Sequence, residues 1–322
     1  MILNKYYFSW FALFLIVLIS ACEKEEIPIQ PRNPGDSQVN EVALGPDYKN
    51  QIFFDLGSNA VISHNLKIDW DLAFESSAEG THITLNSSRG MALSKSDLTF
   101  ADLTTHSGAD WTWDKHSGYI DSTAFANWEE NEVYLLDLGY SHTGTHMGYC
   151  KLKMGTVSET EYTFEVGGLE DATGKQVTVT KNITNLLTFY SIAQGEVTIA
   201  PENTSYDLVF TQYTHVFPDP ETPYLVTGVL LNRFETYAGI FHGKAYDAIT
   251  RADAEAMDLS DQLNTIGYDW KFYNYEEGVY TVDTETTYII QSNEGLFYKL
   301  RFTGFYNTEG LKGYPNFEFQ QL

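Results

Sequence analysis

The chain has 322 residues, a formal net charge of −25 and 15% aromatic residues, with 22 Tyr and 20 Phe against 6 Trp. So acidic a balance argues against the Lys and Arg clusters by which proteins grip nucleic acid or anionic lipid. The length allows one large domain or two ordinary ones, and the Tyr and Phe bias favours strands over helices.

Residues 1–21 read as an export signal: Lys5 precedes an apolar run from Trp10 to Ile19, and Ser20-Ala21 lead to Cys22. An apolar run of about a dozen residues is too short to cross a ~30 Å hydrocarbon layer as a helix. The small-Ala-Cys ending is what lipoprotein processing requires, so Cys22 is expected to carry lipid, each buried methylene contributing ~0.8 kcal/mol to anchoring. The following Glu23-Lys24-Glu25-Glu26 resembles the signal that sends lipoproteins of Bacteroidota to the outer face of the outer membrane, which predicts lipid-anchored surface display. Residues 22–45, acidic and then rich in Pro, Asn and Gly, read as a flexible tether that buries little apolar area. With Cys22 lipidated only Cys150 remains, so the fold must rest on a hydrophobic core and not on a disulfide.

Beyond the tether the chain echoes itself. Phe53-Phe54-Asp55-Leu56 is followed by Trp70-Asp71-Leu72-Ala73-Phe74, and Phe189-Tyr190-Ser191-Ile192 by Tyr206-Asp207-Leu208-Val209-Phe210, at a common offset of 136 positions. Downstream, Ile83–Asn86 matches Val229–Asn232, Gly108–Trp111 matches Gly267–Trp270, and Tyr134–Leu136 matches Tyr288–Ile290. Lys151–Lys153 then matches Lys299–Arg301, and Tyr162–Glu165 matches Asn316–Phe319. Blocks in one order predict a tandem duplication with halves 46–170 and 180–322. Period-two alternation, as in Tyr149–Met154 and Phe297–Phe302, predicts half-buried antiparallel strands, with hairpin turns at Gly167-Gly168 and between Gly304 and Gly313. A helix is expected over Tyr246–Leu263, where Ala248, Ala252, Ala256 and Leu259 recur, with a shorter helical counterpart at Leu93–Leu103. The expected fold class is all-β, mainly antiparallel sheets with minor helix.

This order of blocks resembles the HmuY family of haem-binding lipoproteins from Bacteroidota. The C-terminal half carries the likeness best, in Tyr206–Tyr213, Val226–Asn232, Tyr288–Ile290 and Tyr298-Lys299-Leu300-Arg301-Phe302. Counted as two copies, the resemblance covers nearly all of the mature chain. It implies a mostly β extracellular protein that holds haem between loops by two axial His or Met side chains and passes it to a TonB-dependent-type outer-membrane receptor. No residue pair of this chain matches a family ligand pair.

Haem iron takes a neutral imidazole nitrogen or a thioether sulfur, beside an apolar wall for the macrocycle. Where the family places its ligands, the C-terminal half offers His242 and Met257 and the N-terminal half His106 and His116; His215 lies near aromatics in Thr214-His215-Val216-Phe217. For each, a structural role is the competing reading. His142, His146 and Met147, with Cys150 close behind, form an alternative soft-metal set, set against an exposed turn between Tyr134 and Lys151. His64 and His82 read as structural. There is no Gly-x-Ser-x-Gly, His-Glu-x-x-His or phosphate loop, so a binding protein is expected in place of an enzyme. Trp111, Trp113, Tyr119 and Trp128 suggest stacking on glycans, although the match of Trp111 to Trp270 favours a core role. The expected function is surface haem or tetrapyrrole binding for uptake. A surface interaction protein without haem and a glycan-binding lipoprotein are the alternatives.

Overall fold

Runs such as Ile52-Phe53-Phe54 and Leu208-Val209-Phe210 are apolar at every position, which suits a strand only where both faces are covered. The computed structural model, which describes residues 35–322, builds them into inner sheets; the expected export signal, Cys22 and the start of the tether lie outside the described residues. The fold is all-β with a minor helix.

In chain order β1 (Gln38–Glu41) precedes a hairpin of β2 (Asn50–Asp55) and β3 (Ala60–Leu66). The hairpin β4 (Leu72–Glu75) and β5 (Ile83–Leu85) leads to β6 (Ala92–Ser96), β7 (Val133–Asp137), β8 (Tyr149–Val157), β9 (Glu161–Gly167) and β10 (Lys175–Thr180). Then come β11 (Leu187–Ser191), β12 (Gly195–Val197), the long hairpin β13 (Leu208–Pro218) and β14 (Glu221–Leu231), and β15 (Tyr237–Phe241). The helix α1 (Arg251–Glu255) and the hairpin β16 (Lys271–Asn274) and β17 (Val279–Val282) precede the closing β18 (Thr287–Gln291), β19 (Phe297–Tyr306) and β20 (Lys312–Gln321).

Two five-stranded sheets, β10-β9-β8-β7-β6 and β1-β20-β19-β18-β15, flank two four-stranded sheets, β12-β11-β4-β5 and β14-β13-β2-β3. Side-chain alternation assigns the layers. Leu72 and Phe74 of β4 pack into one core with Leu136, Leu152 and Phe164, whereas Ile52, Phe54, Leu208 and Phe210 pack into another with Ile290, Leu300 and Phe317. The residues between them in sequence, Phe53, Ala73 and Val209, face the opposite way and form a third cluster with Trp70 and Tyr206 where the inner sheets meet.

Each inner sheet mixes strands from residues 46–170 and 180–322. Phe53 of β2 lies opposite Val209 of β13, and Phe189 of β11 lies opposite Ala73 of β4; a shift of 136 positions converts one pairing into the other. The ends of the inner strands are tied alike. Asn86 donates to the carbonyls of Lys67 and Trp70 at 2.7 Å each, and Asn232 to those of Asn203 and Tyr206 at 2.6 and 2.8 Å. Asp71 accepts the Ile192 amide and Asp207 the Leu56 amide. Lys151 and Lys299, both buried, each donate to two loop carbonyls and lie over an aromatic ring, Phe100 and Tyr246.

Four expectations change. The tether is partly folded: Gln38–Glu41 pairs with β20, and Val39 stays 74% exposed, so backbone hydrogen bonds to an open sheet edge hold it and apolar patterning gives no sign of it. The helix over Tyr246–Leu263 shrinks to a 3-10 turn at Tyr246–Ala248 and the five residues of α1, started by a Thr250–Asp253 capping box. Its recurring alanines bury little; the inward residues are Tyr246, Ile249 and Ala254, and Ser260 is already extended opposite Ala238. Leu93, expected to begin a helical turn, is in β6 opposite Leu136, with Thr112 bridged to it on the other side. That bridge matches Ser260 on Ala238, so Trp111 and Trp270, the latter bonded near the Gly267–Val229 bridge, do not occupy equivalent places.

Candidate functional site

β13 pairs with β2 only through Leu208–Phe210, so the remainder of the eleven-residue hairpin arms runs past the sheet toward the loop between β6 and β7. On the way Thr214 Oγ1 donates to the Ser87 carbonyl, in the turn between β5 and β6, at 2.8 Å, and the Val216 amide donates to His116 Nδ1 in the β6–β7 loop at 3.3 Å. This brings together two sequence-predicted ligands from opposite halves. The rings of His116 and His215 stack with centroids 3.9 Å apart and planes 20° apart, and Phe217 and Tyr268 lie 4.7 and 5.2 Å from His215.

Burial lowers both imidazole pKa values; His215 and Lys115 lower that of His116 further, whereas Asp269 works against the shift at His215. Both rings are therefore neutral near pH 7, the form that ligates iron. They differ in availability. His116 Nδ1 already accepts a hydrogen bond, which leaves the proton on Nε2, whereas His215 Nδ1 is buried without a protein partner. A macrocycle does not fit between rings stacked at 3.9 Å, because each nitrogen–metal bond runs about 2 Å in the plane of its own ring. The pair would have to part for one histidine to ligate.

A second cluster centres on Tyr149 at the start of β8. His106 stacks on it at 4.1 Å and 15°, His146 tilts against it at 4.8 Å, and Trp111 lies 5.9 Å away. Both His146 nitrogens are engaged: Nδ1 accepts the Gly148 amide at 3.3 Å, so Nε2 donates to Asp137 at 2.8 Å. His142 turns instead toward Asp47, at 3.8 Å, and Met147 is exposed. Cys150 is buried in the core, where burial pushes its thiol up to about 12. The expected metal set thus points to separate partners, and among the described residues no group of three His, Cys, Asp or Glu is placed to hold a metal ion.

The other candidates lie apart. His242 is exposed after β15, and Met257 packs half-buried against the cluster of Ile249, Ala254, Ile289 and Leu322. His64 is exposed on β3, and His82 pairs with Glu75 at 2.7 Å. The aromatics that suggested glycan stacking form no shared platform: Trp128 donates to the Thr81 carbonyl, Tyr119 to Asp261, and Trp111 leans on Tyr149.

Behind His116, between the inner sheets, is a cavity of about 130 Å³ lined by apolar and polar side chains together with the charged Asp114, Lys115 and Arg233. Pockets for drug-sized ligands run from about 300 Å³ upward, so this cavity is too small for a tetrapyrrole. Neither Asp114 nor Arg233 stands out in the sequence. The only available signal was that Asp114 opens the charged triplet Asp114-Lys115-His116. Its carboxylate accepts the amides of Leu85 and Ala124 at 2.7 and 2.8 Å, and burial pushes it up to about 6.

No curated protein matches the chain in sequence. Among solved structures, the apo HmuY analogue TFO of Tannerella forsythia aligns with 90% of this chain and 98% of its own, at 8% identity and a TM-score of 0.35. Apo PinO of Porphyromonas gingivitis aligns over 89% and 97%, at 8% identity and a TM-score of 0.31. A Bacteroides vulgatus protein described as a putative HmuY-like heme-binding protein aligns over 88% and 90%, at 11% identity and a TM-score of 0.23. Superpositions this loose carry no weight of their own. The sequence profile of the HmuY protein family, by contrast, matches residues 47–319 in a single span that runs across both halves. That span takes in every strand from β2 to β19 and most of β20, and on it the chain belongs to the HmuY family.

Proposed function

We propose that this protein binds haem or a related tetrapyrrole at the cell surface, held to the outer membrane through Cys22, and hands its ligand to a TonB-dependent-type receptor. The observation that carries the reading is His215: a neutral imidazole with an unpartnered Nδ1, among Phe217 and Tyr268, in a member of the HmuY family. On this reading His215 is an axial ligand, and binding separates it from His116. Phe217 and Tyr224, 40% and 62% exposed on facing arms of the hairpin, supply flat apolar surface for the macrocycle.

Hemin titration of the full chain in detergent tests this. A saturable Soret band is expected, shifted or lost in His215→Ala. Absence of a saturable spectral change in both redox states sinks the reading. The close stacking of His116 on His215 favours one rival, a surface interaction protein that keeps the fold without haem. That rival predicts no Soret band, together with recovery of an outer-membrane complex on pull-down.

We further infer that the HmuY unit of this chain is itself an internal duplication. The shared offset of the β2–β13 and β4–β11 registers and the matched bonds of Asn86 and Asn232 support it. On this reading the two copies exchange hairpins, so neither half is expected to fold alone.

A further inference from the structure

Between the β4–β5 turn, the loop ahead of β7 and the end of β8 lies an open groove of about 370 Å³, lined by Thr81, Asn127, Trp128, Glu130, Thr156 and Val157 among others. Its volume falls in the range of small-molecule sites, which begins at about 300 Å³. It shares no residue with the inner cavity or with the His116–His215 stack. Trp128 forms a fixed aromatic wall. Its Nε1 donates to the Thr81 carbonyl at 2.7 Å, and its ring lies 6.5 Å from that of Tyr162 in the N-terminal core. Held by a bond and by packing, the indole loses little freedom when something settles on it.

The other half fills the matching place with protein. β8 and β19 correspond through Lys151 and Lys299, a shift of 148 positions, and both ladders slip just beyond, at Met154–Val157 and at Phe302–Gly304. The shift carries Val157, partly buried, onto Phe305, whose buried ring lies 5.6 Å from Trp270 and 5.1 Å from Tyr280. Tyr280 comes from the β16–β17 hairpin, and among the described residues no such hairpin accompanies β8. What one half closes with its own aromatic rings, the other leaves open.

The chemistry of the wall narrows the ligand. Asn127 and Glu130 are exposed on either side of Trp128 in sequence, and among the described residues neither side chain has a protein partner. A flat apolar ring beside a free amide and a free carboxylate is complementary to a sugar ring, which has an apolar C–H face and hydroxyl groups that donate and accept. Glu130 is the one charged residue on the groove wall, so an anionic sugar is disfavoured. We propose that this groove is a binding site, independent of the haem reading, for a neutral pyranose unit of a glycan. The sugar lies on Trp128, Glu130 accepts from its hydroxyls and Asn127 bonds to them in either sense. One aromatic ring suffices, so no platform shared with Trp111 or Tyr119 is needed.

The methyl glycosides of glucose, galactose, mannose and N-acetylglucosamine, titrated separately into the full chain in a sugar-free detergent, test the proposal by saturation-transfer NMR. At least one is expected to bind saturably, with transfer strongest at the ring protons of one face. Trp128→Ala should abolish that binding. Asn127→Ala and Glu130→Ala, both at exposed positions, should each weaken it about fivefold or more, the loss of about one hydrogen bond, while the thermal midpoint stays in place. These two variants keep the test open if Trp128→Ala does not fold. No saturable signal from any of the four glycosides overturns the proposal. So does binding that Glu130→Ala or a folded Trp128→Ala leaves unchanged, since the sugar would then sit elsewhere. None of these residues belongs to the haem reading, so the hemin titration succeeds or fails separately.

Discussion

Asp71 and Asp207 begin corresponding inner strands and make the same backbone bond, yet they are neutralised in different ways. Asp71 meets the buried guanidinium of Arg89, which also donates to the Trp70 carbonyl at 3.1 Å. Asp207 has only the neutral amide of Asn293, 3.4 Å away, and burial, reinforced by nearby Asp55, pushes its carboxyl up to about 7. The difference teaches that the strand geometry specifies a buried carboxyl group and leaves its charge open. One half settles it with an ion pair and the other by raising the pKa of its carboxyl group.

The largest effect is expected where the ion pair is broken. Arg89→Met leaves Asp71 buried without its counter-charge, and stability should fall by about 3–5 kcal/mol in a urea titration. Asn293→Ala removes the long hydrogen bond to Asp207 and one of 3.1 Å to the Tyr206 carbonyl, and should cost about 1–2 kcal/mol. Equal losses would mean that Arg89 does no more than Asn293, and the contrast would be lost.

The asparagines below these carboxyl groups extend the comparison. Asn86 is fully buried, and both its side-chain oxygen and nitrogen are used, by Ser88 and by the carbonyls of Lys67 and Trp70. Asn86→Ala should cost about 2–4 kcal/mol, because it removes two buried donations and leaves the buried Ser88 amide without its acceptor, although Arg89 still donates to the Trp70 carbonyl. Asn232→Ala should cost about 1–2 kcal/mol, since Asn203 is partly exposed and water can replace the lost donor at its carbonyl. A larger loss at Asn232 than at Asn86 would reverse the ranking of the two halves.

The protonated carboxyl group predicts a pH dependence. The folded-state pKa of Asp207, about 7, lies above the unfolded value of about 3.9, so the folded state binds the proton more tightly. Its stabilising effect is complete below about pH 4 and is lost as pH rises through about 7. Asp207→Asn keeps an acceptor for the Leu56 amide without the charge. Relative to the unsubstituted protein it should therefore gain on the order of 1–3 kcal/mol between pH 4 and pH 8. Unfolding curves at the two pH values with the same relative stability would show that Asp207 does not carry the proton.

Much of this architecture is legible in the sequence. Leu72-Ala73-Phe74 and Leu208-Val209-Phe210 announce strands covered on both faces, and Asn86 and Asn232 mark their matching ends. What is hidden is partnership. The apolar pattern of β2 suits β4 as well as β13, so nothing in it reveals that hairpins cross between halves. β1 is held by its backbone, and α1 is cut short because its alanines offer little surface to bury. Each of the five proposed haem ligands was visible singly, but the stacking of His116 on His215 depends on a hairpin overhanging a loop remote in sequence.

The smallest effect on stability comes from the one ion pair that straps the hairpin to that loop. Lys115 and Glu221 meet at 2.7 Å with about half of each side chain exposed (47% and 53%), so water screens their attraction. Lys115→Ala should change stability by no more than about 0.5 kcal/mol. The same substitution removes a positive neighbour that helps to hold down the His116 pKa, after burial and His215. The His116 titration followed by NMR should therefore move upward while the unfolding midpoint stays in place. A titration that stays fixed or moves down would mean that Lys115 does not act on this imidazole. Neutrality at His116 would then rest on burial and on His215 alone.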